Sequence, residues 1–357
     1  MTKSLSRWEL IMNEAQEGAA IWVGVDVHKK SYAVAILSER GTIHTFTTTS
    51  DNAGLVEQFK SRNIPVTCLA YESGLTGFGL YRACQKAGIP AIVAPVSRIP
   101  RTPCKKAKTD RTDCVKLANY LSRGLLPSVT VPGETEEAMR SKVRRRSQVV
   151  KELGQVKNRI KSFLVVNSLR EPEGLQNWSR RAVEELRTMP MHVDHRVAMD
   201  SYLRELCFLI DEISVLERDI RQTVVPKDDV LQSIPGVGEI TSAIFRTEVF
   251  DPTRFATSEE LVSYLGLAPV IHQSGNQSGT GRLIPCGQGK LRGTLVEAAW
   301  VLRSKEQWAA EFYGRILRRT GKFQKAIVAL ARKLAIIMWR LWLENRPYQS
   351  VLPARAA

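Results

Sequence analysis

An α/β N-terminal domain followed by an all-α remainder is the fold class this sequence predicts, and three observations carry it. Residues 21–94 alternate short β-prone runs with helical spacing. From residue 134 onward the composition changes, and apolar residues recur at intervals of three and four over long stretches. A chain of 357 residues is long enough for two or three domains, each with its own core.

The first element, IWVGVDVHKK at residues 21–30, reads as a strand that carries a single acid, Asp26, in an otherwise apolar run. A buried carboxylate without a partner costs several kcal/mol, so such an acid is held by a cation. No arginine is adjacent on that strand, and three further acids follow, which makes a divalent metal the natural partner. The competing reading is a solvated acid at a strand end. Residues 32–37 and 42–49 complete three antiparallel strands, with a turn at 39–41. Residues 51–60 place Leu55, Val56 and Phe59 at helical spacing, with Ser50 or Asp51 as cap. A fourth strand over 65–71 delivers Glu72 at its end, a helix covers 77–87, and a fifth strand covers 89–94. This order is the one expected of a ribonuclease-H-like sheet.

A basic run with Arg98, Arg101, Lys105, Lys106 and Lys108 then leads into KTDRTDCVKLANYL. Asp110 and Asp113 open a helix whose Val115, Leu117, Ala118 and Leu121 point to the core, and a spacing of three puts both acids on one face. Helix capping is the competing role, and one acid would suffice for it.

Residues 139–162 carry nine cations, among them Arg144, Arg145, Arg146 and Lys157, against one acid, Glu152. Val149, Leu153, Val156, Ile160 and Phe163 form a narrow apolar seam, so a long helix with a basic surface is predicted, suited to nucleic acid. A coiled coil with solvated lysines is the alternative, and it predicts mixed signs on the polar face. Leu203, Leu206, Ile210, Ile213, Leu216 and Ile220 form a second seam, with acids interspersed, for a helix that packs antiparallel on the first or on another subunit. Residues 172–190 between them form the hairpin tip. SIPGVGEITSAIFRTEV, residues 233–249, looks like a helix-hairpin-helix element, in which Gly236 and Gly238 make a turn whose amides hold a phosphate; a plain helix-entry turn is the alternative. Residues 264–292 are glycine-rich and carry Ser274, Ser278, Arg282, Lys290 and Arg292, a combination suited to phosphate chemistry or to a surface loop. Residues 293–343 are mostly helical and build a core.

Composition bounds the function. Lys plus Arg number 52 against 36 Asp plus Glu, a net charge of +16, which favours a polyanionic partner. A membrane is disfavoured, because the apolar stretch 334–343 is interrupted by Arg340 and falls short of the roughly 20 residues a span needs. Residues 1–20 contain Glu9, Glu14 and Glu17 and lack the apolar run of a signal peptide. The six cysteines form no CxxC pair, which points to a reduced, cytoplasmic chain, and His192 with His195 lacks the companions of a metal site.

Taken together, GVDVHKK, AYES, KTDRTD, IPGVGEITS, YLGLAP, QSG and GRLIPCGQGKLRGTLVEAAW resemble the DEDD transposases of bacterial insertion sequences, the insertion sequence 110 family. The resemblance implies a RuvC-like domain over residues 21–130, a helical coiled-coil middle over 131–228 and a C-terminal transposase domain over 229–345. An N-terminal extension (1–20) and a tail (346–357) flank them. It implies a metal-binding tetrad of Asp26, Glu72, Asp110 and Asp113 with two Mg2+ ions, and a serine nucleophile at Ser274. Gly275, Gly281 and Gly287 keep the family's spacing. Arg101, Lys105, Lys106, Lys108, Arg144, Arg145, Arg146, Lys157, Gly236, Gly238, Arg282, Lys290 and Arg292 are the expected nucleic-acid contacts. The expected partners are donor and target DNA, a structured bridge RNA that guides the enzyme, and further copies of the chain in a dimer or tetramer. The active site would combine domains of different subunits, in the bacterial cytoplasm at the nucleoid. Two departures stand out: Asn276, Gln277 and Ser278 replace the usual basic residues, which makes a second serine available, and Pro285 and Cys286 stand where a lysine is common. A RuvC-type junction endonuclease using metal-activated water and a non-catalytic nucleic-acid scaffold are the alternatives.

Overall fold

The computed structural model describes residues 6–96, 99, 110–269, 273–274, 277–278, 283 and 289–350; the side chains of 110, 111, 273, 274, 277 and 278 lie outside the description. The chain forms two compact units, Met1–Val131 and Pro132–Ala357.

The first unit is built on a five-stranded mixed sheet. Strand β1 (Ile21–Val27) pairs antiparallel with β2 (Ser31–Ser38), which pairs antiparallel with β3 (Ile43–Thr49). On its other edge β1 runs parallel to β4 (Cys68–Glu72), and β4 parallel to β5 (Ala91–Ala94). The strand order 3-2-1-4-5, with three antiparallel strands first, is the one the ribonuclease-H-like expectation requires. Because side chains alternate, Val23, Val25, Val34 and Tyr71 face one core with Leu55 and Phe59 of helix α2 (Asn52–Lys60) and Leu80 of α3 (Gly79–Lys86). Asp51 caps α2 by accepting from the Ala53 amide at 3.0 Å. The opposite face carries Ala33, Ala35 and Leu37 and receives Cys114 and Ala118 of a helix (Asp110–Ser122).

The extension expected over residues 1–20 holds a helix of its own, α1 (Arg7–Gln16). Ser6 and Glu9 close a reciprocal capping box, Ile11 and Ala15 are buried, and Trp8 packs on His44 and Phe46 at centroid distances of 4.6 and 5.2 Å. The Asp110–Ser122 helix is α4 in chain order.

In the second unit, α5 (Glu134–Val166) and α7 (Val193–Thr223) run antiparallel. Lys142 reaches Asp219 at 2.5 Å, Arg146 reaches Glu217 at 2.5 Å, and Arg159 reaches Glu205 at 3.4 Å. The α5 seam buries Val149, Val156, Ile160 and Leu164. The α7 seam buries Met199, Leu203, Leu206 and Leu209, whereas Ile210, expected inside, is 43% exposed: the seam returns after three residues at that point, not four. The tip contains a 3-10 turn (Leu175–Asn177) and α6 (Arg180–Thr188), which close the seam with Leu175, Ala182 and Leu186.

Helices α8 (Glu239–Val249), α9 (Ser258–Tyr264), α10 (Gly289–Lys305), α11 (Gln307–Thr320) and α12 (Phe323–Glu344) enclose a further core with Phe245, Leu295, Leu330 and Met338, joined by Val143 of α5 and Ile220 of α7. The segment read as helix-hairpin-helix consists of one 3-10 turn (Val230–Ser233), a tight turn and α8. Gly236 has φ +90°, and a Cβ there would lie 2.6 Å from the Ala298 carbonyl of α10, so this glycine serves close packing. Among the described residues no helix is long and apolar enough to cross a membrane.

Candidate active site

Asp26 lies on β1 two residues beyond Gly24, so both face the α4 side of the sheet. Gly24 is required there: a Cβ would collide with the Cys114 carbonyl and the Ala118 amide of α4, so the missing side chain lets the helix sit directly on the strand. That approach carries Asp113, the residue before Cys114, toward Asp26. Glu72 arrives by register. Val25 pairs with Tyr71, so the next positions on the two parallel strands are Asp26 and Glu72, at their carboxyl ends.

The Cys114 thiol senses the convergence. Burial pushes its pKa up to about 11, and the negative charges of Asp26 and Asp113 add to the rise, so both carboxylates lie within electrostatic reach of one buried sulfur. The Asp26 and Asp113 side chains are about one-fifth exposed, at 20% and 19%. Asp26 Oδ2 lies 3.2 Å from His28 Nε2, and Asp113 Oδ1 lies 3.3 Å from Lys116 Nζ. His28 was not singled out by sequence, although it stands two residues after the acid on the strand's exit. Asp110 begins α4, three residues before Asp113, and its side chain lies outside the described residues.

In kind these donors fit a hard divalent cation: hard carboxylate oxygens, partly open to solvent, at the ends of adjacent strands. Among the described residues no three such groups are gathered closely enough to hold an ion.

Ser274 lies in a short hairpin of β6 (Gln273–Ser274) and β7 (Gln277–Ser278), in which Ser274 pairs with Gln277 and Gln273 with Ser278. Both candidate nucleophiles therefore stand on paired strands of one loop; their side chains, Gly275, Gly281, Arg282 and Gly287 lie outside the described residues. The loop's stem is pinned by a bridge between Pro269 and Leu283 and by Arg292, whose Nη1 donates to the Gly266 carbonyl at 3.0 Å. Lys290 is exposed in the first turn of α10.

The basic residues expected to meet nucleic acid divide into distinct groups. Arg101, Lys105, Lys106 and Lys108 lie outside the described residues. Arg144 makes a two-pronged bond to Glu248, at 2.8 Å on each prong, and that bond raises its pKa; Arg146 donates to Glu217 at 3.1 and 2.5 Å. The near absence of acids over residues 139–162 is thus misleading, because α7 and α8 supply them. Arg145 is 3.4 Å from Glu152 on the surface, and Lys157 Nζ lies 5.3 Å from the Trp178 ring centre. Gly238 caps α8 with open space on its Cα side, but the first turn of α8 carries Glu239, held by Arg221 at 2.6 Å.

Asp229, which carries no sequence signal, is fully buried. Burial would raise its pKa, yet hydrogen bonds from Arg246 (2.6 Å) and Ser242, with the Arg246 charge and the Leu231 amide, hold it below the usual carboxylate range.

Comparison with known proteins shows what the chain as a whole is similar to. A profile of the "DEDD_Tnp_IS110" transposase family matches residues 23–167, and one described as "Transposase IS116/IS110/IS902 family" matches residues 228–314. The transposase-like protein y4qE of Sinorhizobium fredii is 28% identical over 91% of this chain and 89% of its own length. The transposase for insertion sequence element IS1111A of Coxiella burnetii is 25% identical over 92% of this chain and 91% of its own. Among solved structures, Thermus thermophilus RuvC bound to a Holliday junction substrate aligns over 31% of this chain and 99% of its own, with 9% identity and a TM-score of 0.24.

Proposed function

Since the chain belongs to the IS110 family of insertion-sequence transposases, we propose that it is a DNA recombinase that cuts and rejoins DNA strands through a covalent serine intermediate. The observation that supports this most is that Asp26 and Glu72 follow paired positions on neighbouring parallel strands, while the close seat of α4 on Gly24 carries Asp113 toward Asp26. Asp26, Glu72, Asp110 and Asp113 would hold Mg2+ there, and the bound metal would supply positive charge to a phosphodiester under attack.

The Ser274 hydroxyl gives up its proton and its oxygen bonds to phosphorus, while the scissile P–O bond breaks and the departing sugar oxygen takes a proton. A hydroxyl of the partner strand then attacks the serine ester, and Ser274 leaves with a proton restored, so the number of phosphodiesters is conserved. His28, bonded to Asp26, orients that carboxylate. Lys290, exposed in the first turn of α10, would meet a DNA phosphate, and Arg145 would do so in exchange for its surface pair with Glu152. Donor and target DNA, a guide RNA whose base pairing chooses the sites, and a homo-oligomer in the bacterial cytoplasm complete the reading.

The test is to incubate the protein, RNA and end-labelled DNA with Mg2+ and to look for a protein–DNA adduct on a denaturing gel. Wild type and Ser278→Ala form it, while Ser274→Ala and Asp26→Ala do not. An adduct that survives in Ser274→Ala and vanishes in Ser278→Ala moves the nucleophile to Ser278. Cleavage with no adduct makes water the nucleophile and the protein a junction-type endonuclease. Strand exchange by Asp26→Ala would remove the metal site from the mechanism.

A further inference from the structure

The C-terminal helices carry a long run of cations without an acid among them. From residue 312 to residue 343 there are eight Lys or Arg and no Asp or Glu. Arg318, Arg319, Lys322, Lys325 and Arg332 meet no carboxylate among the described residues. Most of them cluster where α11 ends, Gly321 turns at φ +63°, and α12 begins.

Beside this turn lies a groove of about 550 Å3 between α11, α12 and the stem of the Ser274 hairpin. Its apolar floor includes Val328 from α12 and Leu267 and Leu283 from the stem, and Arg319, Lys325 and Arg332 stand along it; none of its described lining residues is acidic. Lys325 and Arg332, seven residues apart, fall on one face of α12 about 10 Å from each other along its axis. The geometry points to a seat for a single DNA strand, the one the Ser274 loop cuts. Arg319, Lys325 and Arg332 take its phosphates, and sugars and bases rest on the apolar floor.

Two features select this occupant. Cations that meet no acid among the described residues complement a polyanion. A duplex keeps its base faces stacked inside, so they cannot rest on an apolar floor, whereas a single strand presents them. Phe323, 53% exposed at the first position of α12, offers such bases a stacking surface. The stem residues Pro269 and Leu283 form both the groove wall and the base of the loop, so a strand held here lies at the root of the loop that carries the nucleophile. The inference rests on the reading of that loop as the cutting element.

The experiment uses full-length Ser274→Ala protein, so that binding is read without cleavage. Affinity for a fluorescent mixed-sequence single strand is measured across a salt series, with and without Arg319→Gln, Lys325→Gln and Arg332→Gln combined. Three lost phosphate contacts lower the slope of log affinity against log salt by about 2, and weaken binding at physiological salt on the order of tenfold to a hundredfold. Arg319→Lys with Arg332→Lys retains the slope, and an unchanged melting temperature shows that the glutamine variant folds. An unchanged slope in a folded triple variant overturns the proposal, as does a loss confined to an RNA strand or larger for duplex than for single-stranded DNA. If the adduct forms at Ser278 or not at all, the nucleophile assignment fails while the slope is unaffected, which separates the two outcomes.

Discussion

Along α5, Lys142, Arg144 and Arg146 each meet a carboxylate brought by another helix, whereas Arg318, Arg319, Lys322, Lys325 and Arg332 around the α11–α12 turn meet none among the described residues. Both regions look equally basic in the sequence, with nine cations over residues 139–162 and eight over residues 312–343. The difference lies in what packs against them. Helix α5 is flanked by α7 and α8, whose Glu217, Asp219 and Glu248 neutralise it, so much of its charge binds the protein to itself. The α11–α12 turn lies beside a groove whose described lining residues include no acid. A run of cations is therefore a nucleic-acid surface only where the fold leaves the cations unpaired.

Removing one partner of a buried pair should break this contrast most visibly. Glu248 is 8% exposed and serves Arg144, with Arg140 Nε 3.8 Å away. Glu248→Ala leaves buried positive charge without its counter-ion and should cost about 3–5 kcal/mol in urea unfolding. A loss below about 1 kcal/mol would mean that Arg144 does not depend on its carboxylate and is available to DNA.

Asp229 sharpens the same point with pH. Its folded pKa lies below the unfolded value of about 3.9, so its stabilisation is complete above that pH and is lost as pH falls through the folded pKa. Asp229→Asn should cost about 2 kcal/mol at neutral pH and nothing additional at the acid end, so the two unfolding curves converge as pH drops. Parallel curves would show that the Asp229 charge contributes nothing.

The smallest stability effect belongs to the unpaired region. Arg319→Gln should leave stability within about 0.5 kcal/mol of wild type. It should nonetheless lower the salt slope of single-strand binding by about 0.7. A large stability loss would place Arg319 with the paired cations of α5.

Much of the first unit was legible because its signals are local. An acid in the middle of an apolar strand, an acid at the end of another, and two acids opening a helix each show in a few consecutive residues, and strand alternation places Asp26 on the side opposite Val25. Helix α1 was not among the elements expected from the sequence, although Ser6 and Glu9 carry the S-x-x-E start signal. Ile210 and Leu209 were not separable, because helical spacing allows a return after either three or four residues and the facing helix decides which is buried. Asp229 and Glu248 were invisible for a related reason: each is one more acid in a mixed-charge stretch until Arg246 or Arg144 is folded against it.

The sequence by itself determined the succession of strands and helices in the first unit, the long helical remainder and the family, because hydrophobic period and ordered motifs are written residue by residue. Only the tertiary structure decided that Gly24 lets α4 bring Asp113 toward Asp26, that Gly236 is filled by α10, and which cations remain unpaired. Close approach and charge neutralisation are relations between residues distant in the chain: 104 positions separate Arg144 from Glu248, and no local pattern records that they meet.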